Sequence, residues 1–437
     1  MAPQLLRQLN GERAVVLLYV VRIIFSIPFS LLPEAFSLSL LFLLALCVEI
    51  SVDDASNPLS LFFRTRPGAS SGVLLGAVTL PGLLVSKLVQ TSRAITLEEV
   101  GIEEFEYLKS QYWAASSSCV AVLIFLSLVC QHQGKSKSKT SISSLSSRNQ
   151  IYSSICVIFF VGSGLVSLSG KLYGGWAPVL VSLWVLGHGW AAVTLIQKIL
   201  ETFPACASIG ESLLVTTGLV LYFGDMMAYT TSKISYLASS DALFIQNGIN
   251  RSEISTIIQP KFLDLSFGAA LAVFLLLETI RIWKIWPLGH LVHQFMNAFT
   301  DHRDSDLLVV SHFSLLLGCA IPIWLASGFT DRPLAPFAGI LSLGIGDTMA
   351  SMVGHKYGVL RWSKTGKKTI EGTAAGITSV LAACFVLLPL LAATGYIFTM
   401  HWFSLIVAVT TSGLLEAYTA QLDNAFIPLV FYSMLCL

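Results

Sequence analysis

Charged residues are scarce in this chain of 437 residues, since Asp, Glu, Lys and Arg together make up only 12% of it. A typical soluble protein carries about 25% of such residues. Hydrophobic residues reach 54%, and a water-exposed surface cannot be built from what remains. The composition therefore excludes an ordinary soluble protein, a disordered chain and a collagen-like chain. The net charge of +1 gives no field that would attract a nucleic acid.

Cysteine pairs of the metal-binding kind are also absent. The eight cysteines lie in or beside apolar runs and form no Cys-x-x-Cys pair, so we expect free, buried thiols rather than a disulfide framework or a zinc site. A cleavable signal peptide is not expected, because the first apolar run, about residues 14–32, is longer than the usual signal-peptide core. We expect this run to remain as a membrane span.

Long apolar runs fill most of the chain. A helix needs about 20 apolar residues to cross a bilayer, and these runs are too long and too evenly apolar for the strands of a membrane barrel. We predict an all-α, polytopic membrane protein with about 13 spans, of which the second and the last are short. The spans are expected near residues 14–32, 36–50, 71–90, 112–130, 151–169, 176–196, 208–228, 264–282, 307–328, 334–353, 373–396, 401–420 and 425–437.

Basic residues in short loops favour the cytosolic side of a membrane. The Ser/Lys-rich loop 131–150 and the basic loop 356–368 are separated by an even number of predicted spans, so both are expected in the cytosol. The acidic loop 98–106 and the long loop 230–263 then fall on the luminal side. Asn250 begins a glycosylation sequon in that luminal loop.

This pattern divides the chain into four parts. We expect N-terminal spans in residues 1–130, the cytosolic loop 131–150, central spans with the luminal loop in residues 151–290, and the chemistry in residues 291–437.

The helix that ends near residue 358 carries an acidic residue, Asp347, at the membrane edge. A carboxylate there is costly unless it is paired, hydrated or bound to a cation, so it indicates function. Small residues share its helical face and would let another backbone approach closely: Gly344, Ser351, Gly354 and Gly358. Taken alone, these glycines fit an ordinary close contact between helices equally well.

A basic segment follows and ends in Lys367, Lys368, Thr369 and Glu371, immediately before the next apolar run. Lysines beside a span are usually topological anchors. Here they accompany acids and glycines, which together would suit a nucleoside triphosphate with Mg²⁺ at a membrane surface. The segment does not match the Walker pattern GxxxxGK[ST], so spacing alone does not name the nucleotide.

These residues also carry a resemblance to a known family. Gly346-Asp347-xx-Ala350-xxx-Gly354-xxx-Gly358, followed by Lys367-Lys368-Thr369-x-Glu371-Gly372-Thr373, resembles the signature of the CTP-using membrane enzymes. The segments Phe299–Asp304 and Leu414–Asn424, with their flanking residues, are similar to dolichol kinases within that group.

The resemblance implies a CTP-dependent kinase that phosphorylates the terminal hydroxyl of dolichol or a related polyprenol, in the endoplasmic reticulum membrane with its site facing the cytosol. It would supply dolichyl phosphate for protein glycosylation. The residues that the resemblance assigns to CTP are Gly354, Gly358, Lys367, Lys368, Thr369, Glu371 and Gly372. Asp347, with Glu371 or Asp423, would hold the divalent cation, which this chemistry implies to be Mg²⁺. Catalytic carboxylates would be Asp304, Asp347 and Asp423, with Asp304 or Asp423 accepting the alcohol proton.

Two alternatives remain at the level of sequence. One is another CTP-using membrane enzyme, such as a phytol or diacylglycerol kinase or a phosphatidate cytidylyltransferase. The other is a transporter, in which Asp225 and Glu278, both inside apolar runs, would line a pathway. Residues 301–306 are also open to interpretation as an ordinary solvated charged segment.

Overall fold

The computed structural model describes residues 10–53, 63, 65–66, 70–96, 102–137, 177–203, 206–239, 258–297, 309–326, 332–362, 368–393 and 402–437. Within these ranges the chain is helical and forms no strand, in agreement with the predicted all-α class. The α-helices, in chain order, are α1 Gly11–Ser26, α2 Leu32–Val52, α3 Val73–Thr96, α4 Ile102–Lys137, α5 Ala177–Thr202, α6 Ile209–Ser239, α7 Ile258–Trp283, α8 Gly289–Asn297, α9 Val310–Ala326, α10 Thr348–Tyr357, α11 Ile370–Ala393, α12 Trp402–Tyr418 and α13 Asp423–Cys436. A π-helix, Ile340–Asp347, leads into α10, and short 3₁₀ turns occupy Phe29–Leu31 and Ala335–Phe337.

Six stretches in the described part of the chain are long and apolar enough to cross a membrane. They are Phe29–Val52, Val73–Ile95, Glu104–Cys130, Leu183–Thr202, Leu265–Trp283 and Ile370–Ala393. The helices α9, α12 and α13 are apolar but shorter. The prediction of about 13 spans is thus not confirmed by this count, whereas the membrane character is.

Helices α3 and α13 form the centre of the bundle. Every residue of α13 from Phe426 to Cys436 is buried, so this short helix is enclosed by protein. A polar contact joins three helices inside the core: the Tyr19 hydroxyl donates to Ser433 Oγ at 2.9 Å, and Ser433 Oγ lies 2.7 Å from Ser86 Oγ. Buried hydroxyl groups that satisfy one another in this way fix the register of α1, α3 and α13.

The two ends of the bundle are marked by contacts of α3 and α13, which run parallel. At one end the Gln421 amide donates to the Ser70 carbonyl at 3.0 Å, just before both helices begin. At the other end Arg93 donates to the Leu437 carbonyl at 2.8 Å. We call the first the Gln421 end and the second the Arg93 end.

The described residues next to both basic segments lie at the Gln421 end. Helix α4 starts at the Arg93 end, where Lys109 pairs with Glu34 at 3.6 Å, and therefore reaches the Gln421 end at Lys137. Helix α11 begins at the Gln421 end beside Lys368. The helices next to the two basic loops, which were predicted to share a face, thus meet those loops at the same end of the bundle.

The acidic segment and the start of the long loop lie at the Arg93 end. Asp225 of α6 accepts from the Gln111 amide at 2.5 Å, and Gln111 lies near the start of α4. Helix α6 begins at the Gln421 end and runs past Asp225. Residue 239, the last of the helix, therefore lies beyond Asp225, away from the Gln421 end. The relative sidedness expected from sequence agrees with this arrangement.

Several predicted boundaries were wrong. The first span ends at Ser26 and the second is a full helix, Leu32–Val52, because Pro28 and Pro33 place the break earlier than the apolar pattern does. The acidic loop is helical from Ile102, the Ser/Lys-rich loop is helical as far as Lys137, and both ends of the long polar loop, 230–239 and 258–263, are helical as well. Residues 138–150 and 240–257, including Asn250, lie outside the described residues.

Candidate functional site

Asp347 is the last residue of the π-helix, where the chain returns to α-helical winding. A π-helix adds a residue to the helical turn and is frequent at functional sites. Here the change of winding occurs within the span predicted at 334–353, and it divides that span into a buried first half and the partly exposed α10. The carboxylate of Asp347 is thereby carried to the Gln421 end of the bundle.

The described ends of the connection from α10 to α11 meet again before α11 begins. Arg361 and Thr369 form an isolated antiparallel bridge, and the Ile370 N–H donates to the Leu360 carbonyl at 2.8 Å. Thr369 Oγ1 accepts from the Gly372 N–H at 3.2 Å and so caps the start of α11. This closure holds Lys368 two residues before the first residue of the helix.

Lys368 joins the start of α11 to α12 and α13. Its ammonium nitrogen donates to the backbone carbonyl of Glu416 at 2.5 Å and lies 3.4 Å from Oδ2 of Asp423. The Glu416 carboxylate interacts electrostatically with Lys368, Asp347 and Asp423. One ammonium group and three carboxylates from four separate segments therefore converge at one site.

This group suits a magnesium–nucleotide complex better than a metal ion bound by protein alone. The described residues form no cluster of three or more metal-ligating side chains. Mg²⁺ at nucleotide sites is typically held by one or two carboxylates, and phosphate oxygens and water complete its shell. Asp347 and Asp423 provide hard oxygen ligands of that kind beside a lysine.

Glu371 is directed elsewhere. Its two carboxylate oxygens accept from the Leu360 N–H at 3.0 and 3.2 Å, across the turn that precedes α11. In this arrangement Glu371 closes the turn and does not join the carboxylates around Lys368. Its predicted role as a metal ligand thus finds no support in the contacts of the described residues. Lys367 and Asp304, also predicted from sequence, lie outside those residues.

The glycines pack two helices together. A Cβ on Gly372 would lie 2.5 Å from the Ala350 carbonyl oxygen, and a Cβ on Gly354 would lie 2.8 Å from Thr369 Oγ1. Gly358 likewise contacts Thr369. These positions allow α10 and α11 to approach closely, which is the helix-contact alternative left open by the sequence. Backbone approach to a phosphate at these glycines remains a prediction.

A buried network anchors the segment just before Asp423. Glu211 Oε1 accepts from the Leu422 N–H at 2.7 Å and from Arg66 Nη2 at 2.5 Å, and Arg66 also donates to the Ala420 carbonyl at 2.9 Å. Gln421 is held between Ser70 and Ser208. The segment before α3 and the start of α6 therefore fix the loop that carries Asp423.

A small cavity extends from the Lys368 site into the bundle between α11, α12 and the π-helix. Its volume is about 20 Å³, room for about one water-sized group. Thr373, Ser412 and Glu416 line the end nearest the site, while Val380 and Val409 line the deeper end.

Sequence reasoning did not include two residues at this site. Glu416 lies within the segment Leu414–Asn424, which resembles dolichol kinases, but it was assigned no role. Trp362 donates to Thr373 Oγ1 at 2.9 Å and packs on Tyr418 with ring centroids 5.0 Å apart, so it covers the mouth of the α11–α12 seam. The signal for Glu416 was an ionisable residue inside an apolar run.

Asp225 and Glu278, the two acids that would line a transporter pathway, form their contacts in different parts of the bundle. Glu278 pairs with Arg281 at 2.6 Å and accepts from the Val309 N–H at 3.2 Å. Asp225 bonds Gln111 at the Arg93 end. The two residues do not line a common path, and their contacts give the transporter alternative no support.

Comparison with known proteins decides the family. The dolichol kinase EVAN of Arabidopsis thaliana is 47% identical, and the alignment covers 98% of this chain and 98% of that protein. The chain is an enzyme of the dolichol kinase family. The alignment spans 564 positions, more than the 437 residues of this chain, so the plant protein has internal residues without a counterpart here.

More distant dolichol kinases match over a shorter region. The human dolichol kinase is 39% identical over 38% of this chain and 32% of its own length. The dolichol kinase sec59 of Schizosaccharomyces pombe is 39% identical over 40% of this chain and 34% of its own length. No protein-family model matches the chain, and no solved structure matches it.

Proposed function

We propose that this dolichol kinase transfers the γ-phosphoryl group of CTP to the terminal hydroxyl of dolichol or a related polyprenol. The observation that carries the proposal is the meeting of Lys368, Asp347, Asp423 and Glu416 at the end of an apolar bundle. A phosphoryl-transfer site needs positive charge for the triphosphate and carboxylates for a divalent cation. The family supplies the lipid acceptor and the reaction class.

In the proposed reaction the alcohol oxygen forms a bond to the γ-phosphorus. The bond from that phosphorus to the β–γ bridging oxygen breaks, and CDP leaves with the electron pair. The hydroxyl proton passes to a carboxylate of the site. The products are dolichyl phosphate and CDP.

Within this reaction Lys368 would neutralise phosphate oxygens, together with Lys367. Asp347 and Asp423 would hold Mg²⁺, which when bound supplies charge neutralisation at the phosphates. The N-terminal turn of α11, from Thr369 to Gly372, offers backbone N–H groups suited to an anion. Lys368 now lies against Asp423, so binding of the nucleotide would exchange this ion pair for contacts with phosphate and metal.

We also propose that the site faces the cytosol in the endoplasmic reticulum membrane. The support is that the helices leading into both basic segments reach them at the Gln421 end of the bundle, and basic residues favour the cytosolic side. CTP would then reach the site from the cytosol, and the dolichyl phosphate formed would supply the lipid carrier for protein glycosylation.

The choice of nucleotide and product is tested with purified protein in lipid nanodiscs. We expect γ-labelled CTP and dolichol to give labelled dolichyl phosphate and an equimolar amount of CDP, with much weaker use of ATP, GTP and UTP. Phytol, diacylglycerol and phosphatidate serve as rival acceptors in parallel. Release of pyrophosphate instead of CDP would indicate a cytidylyltransferase, and preference for ATP would contradict the assignment of CTP.

A further inference from the structure

The cavity beneath Lys368 changes character along its length. Thr373 on α11 and Glu416 on α12 line the end next to the site, and Val380 and Val409 line the inner end. On α11 the step from Thr373 to Val380 is seven residues, or about 10 Å along the helix axis at ~1.5 Å per residue. The cavity is thus polar at the nucleotide end and apolar about two turns deeper in the bundle.

Two polar side chains in this cavity have capacity for a further hydrogen bond. The Ser412 side chain is 6% exposed, and within the described chain its hydroxyl forms no hydrogen bond, although many helical Ser and Thr hydroxyls here bond their own backbone. The carboxylate of Glu416 likewise accepts no hydrogen bond from a described residue. Both groups can therefore hydrogen-bond to a ligand or water in the cavity.

The volume fits the reacting end of an alcohol and excludes a bulky head group. At about 20 Å³ the cavity has room for about one water-sized group, such as an alcohol hydroxyl. The lipid-facing side of α11, where Phe385 and Val386 are exposed, suits a hydrocarbon tail outside the cavity. The phosphate that forms the reacting end of a phosphatidate is too large for this space.

We propose that this cavity is the acceptor subsite, where the terminal hydroxyl of an isoprenoid alcohol hydrogen-bonds to Glu416 and Ser412 while its first isoprene unit lies along the α11–α12 seam. The proposal rests on the kinase function proposed above and adds the place and the size limit of its acceptor. If the lipid enters along the α11–α12 seam, the rest of its hydrocarbon tail stays in the bilayer.

The test compares variants that fill the cavity with a matched change outside it. In Ser412→Leu and Val380→Phe, the KM for dolichol at saturating CTP should rise at least tenfold, while the KM for CTP stays within twofold. Leu128→Phe, at an exposed position on α4, should leave both constants unchanged. Unchanged dolichol KM in both cavity variants would overturn the subsite.

A second measurement uses the unmodified enzyme, so the test does not depend on whether the variants fold. An isoprenoid alcohol with a diazirine on its first isoprene unit is irradiated with the protein, and the labelled peptides are mapped. Label at residues 409–416 or 373–380 that dolichol competes away supports the proposal, whereas label confined to residues 385–390 contradicts it. Activity without this label refutes only the subsite, and specific label without CTP-dependent phosphorylation refutes only the proposed kinase reaction.

Discussion

The ammonium nitrogen of Lys368 lies 2.5 Å from the backbone carbonyl oxygen of Glu416, which joins the segment just before α11 to the last turn of α12. The same nitrogen lies 3.4 Å from the Asp423 carboxylate at the start of α13. One lysine thus ties together three helix ends that come from distant parts of the C-terminal sequence. Asp347, from a fourth segment, interacts electrostatically with the same Glu416 carboxylate.

The carboxylate of Asp347 should be essential for catalysis. In Asp347→Asn the side chain keeps its size but loses the charge that a hard cation needs, so we expect kcat to fall at least a hundredfold with expression and folding preserved. The matched control is Asp225→Asn, because Asp225 bonds Gln111 at the opposite end of the bundle. Activity is measured across a Mg²⁺ titration. Near-normal turnover of Asp347→Asn at low Mg²⁺ would show that this carboxylate is not a metal ligand.

Packing between α10 and α11 should depend on Gly372. A Cβ there would lie 2.5 Å from the Ala350 carbonyl oxygen, and such overpacking costs typically ~1–3 kcal/mol. We expect Gly372→Ala to lower the unfolding temperature in detergent and to reduce activity.

The control for this change is Gly218→Ala on α6, where an added Cβ meets nothing within 4 Å. That variant should be neutral or slightly stabilising, since Ala favours a helix by about 1 kcal/mol over Gly. Equal unfolding temperatures for the two variants would mean that the close approach of α10 and α11 is not needed for stability.

The sequence could predict that Asp347, Lys368 and Asp423 lie on the same side of the membrane, because this follows from the bias of basic residues and the count of spans. The direction of Glu371 could not, since it depends on how the turn closes: Ile370 bonds Leu360, and this leaves the Leu360 N–H opposite the Glu371 carboxylate. Motif spacing says nothing about that geometry.

Helix limits were predicted less well than helix existence. Hydropathy marks where a chain is apolar, but a helix continues through polar residues until proline, glycine or a competing cap ends it. Residues 230–239 are polar and contain neither proline nor glycine, and α6 accordingly runs through them. The break between α1 and α2 falls at Pro28 because proline removes a backbone donor.

Burial of Glu12 should make the protein more stable at acidic pH. Burial, reinforced by the neighbouring carboxylate of Glu49, raises the pKa of Glu12 from 4.5 to about 7, although hydrogen bonds from Ser70 and Thr419 oppose the shift. In the unfolded chain Glu12 ionises near its ordinary value. Its favourable contribution is therefore complete below pH 4.5 and is lost as the pH rises to about 7, and it amounts to on the order of 3 kcal/mol.

The measurement is the unfolding temperature in detergent between pH 4.5 and 7.5. In Glu12→Gln, which mimics the protonated form, the decline over this interval should be much smaller than in the unmodified protein. Glu201→Gln, at the exposed end of α5, should retain the full decline. Identical pH profiles for all three proteins would rule out Glu12 as the source.

Orientation in the membrane is tested with single introduced cysteines. In sealed endoplasmic reticulum vesicles whose outer surface is cytosolic, Ser363→Cys should react with an impermeant thiol reagent without detergent. Ser239→Cys, at the opposite end of the bundle, should react only after the membrane is opened. The unmodified protein gives the background from the native cysteines. The reverse labelling pattern would place the basic turn in the lumen, away from cytosolic CTP.

The account rests most on Lys368 as the cation that binds the triphosphate. Its direct test is kcat/KM for CTP at saturating dolichol in Lys368→Met, compared with Lys356→Met, whose lysine is exposed near the end of α10 and contacts the ring of Tyr357. Loss of a triphosphate contact acts in the transition state and exceeds the ~0.2–1 kcal/mol of an exposed ion pair. We predict at least a hundredfold loss for Lys368→Met and less than a twofold change for Lys356→Met. Equal values for the two variants would contradict the account, because Lys368 would then serve only as an anchor between helices.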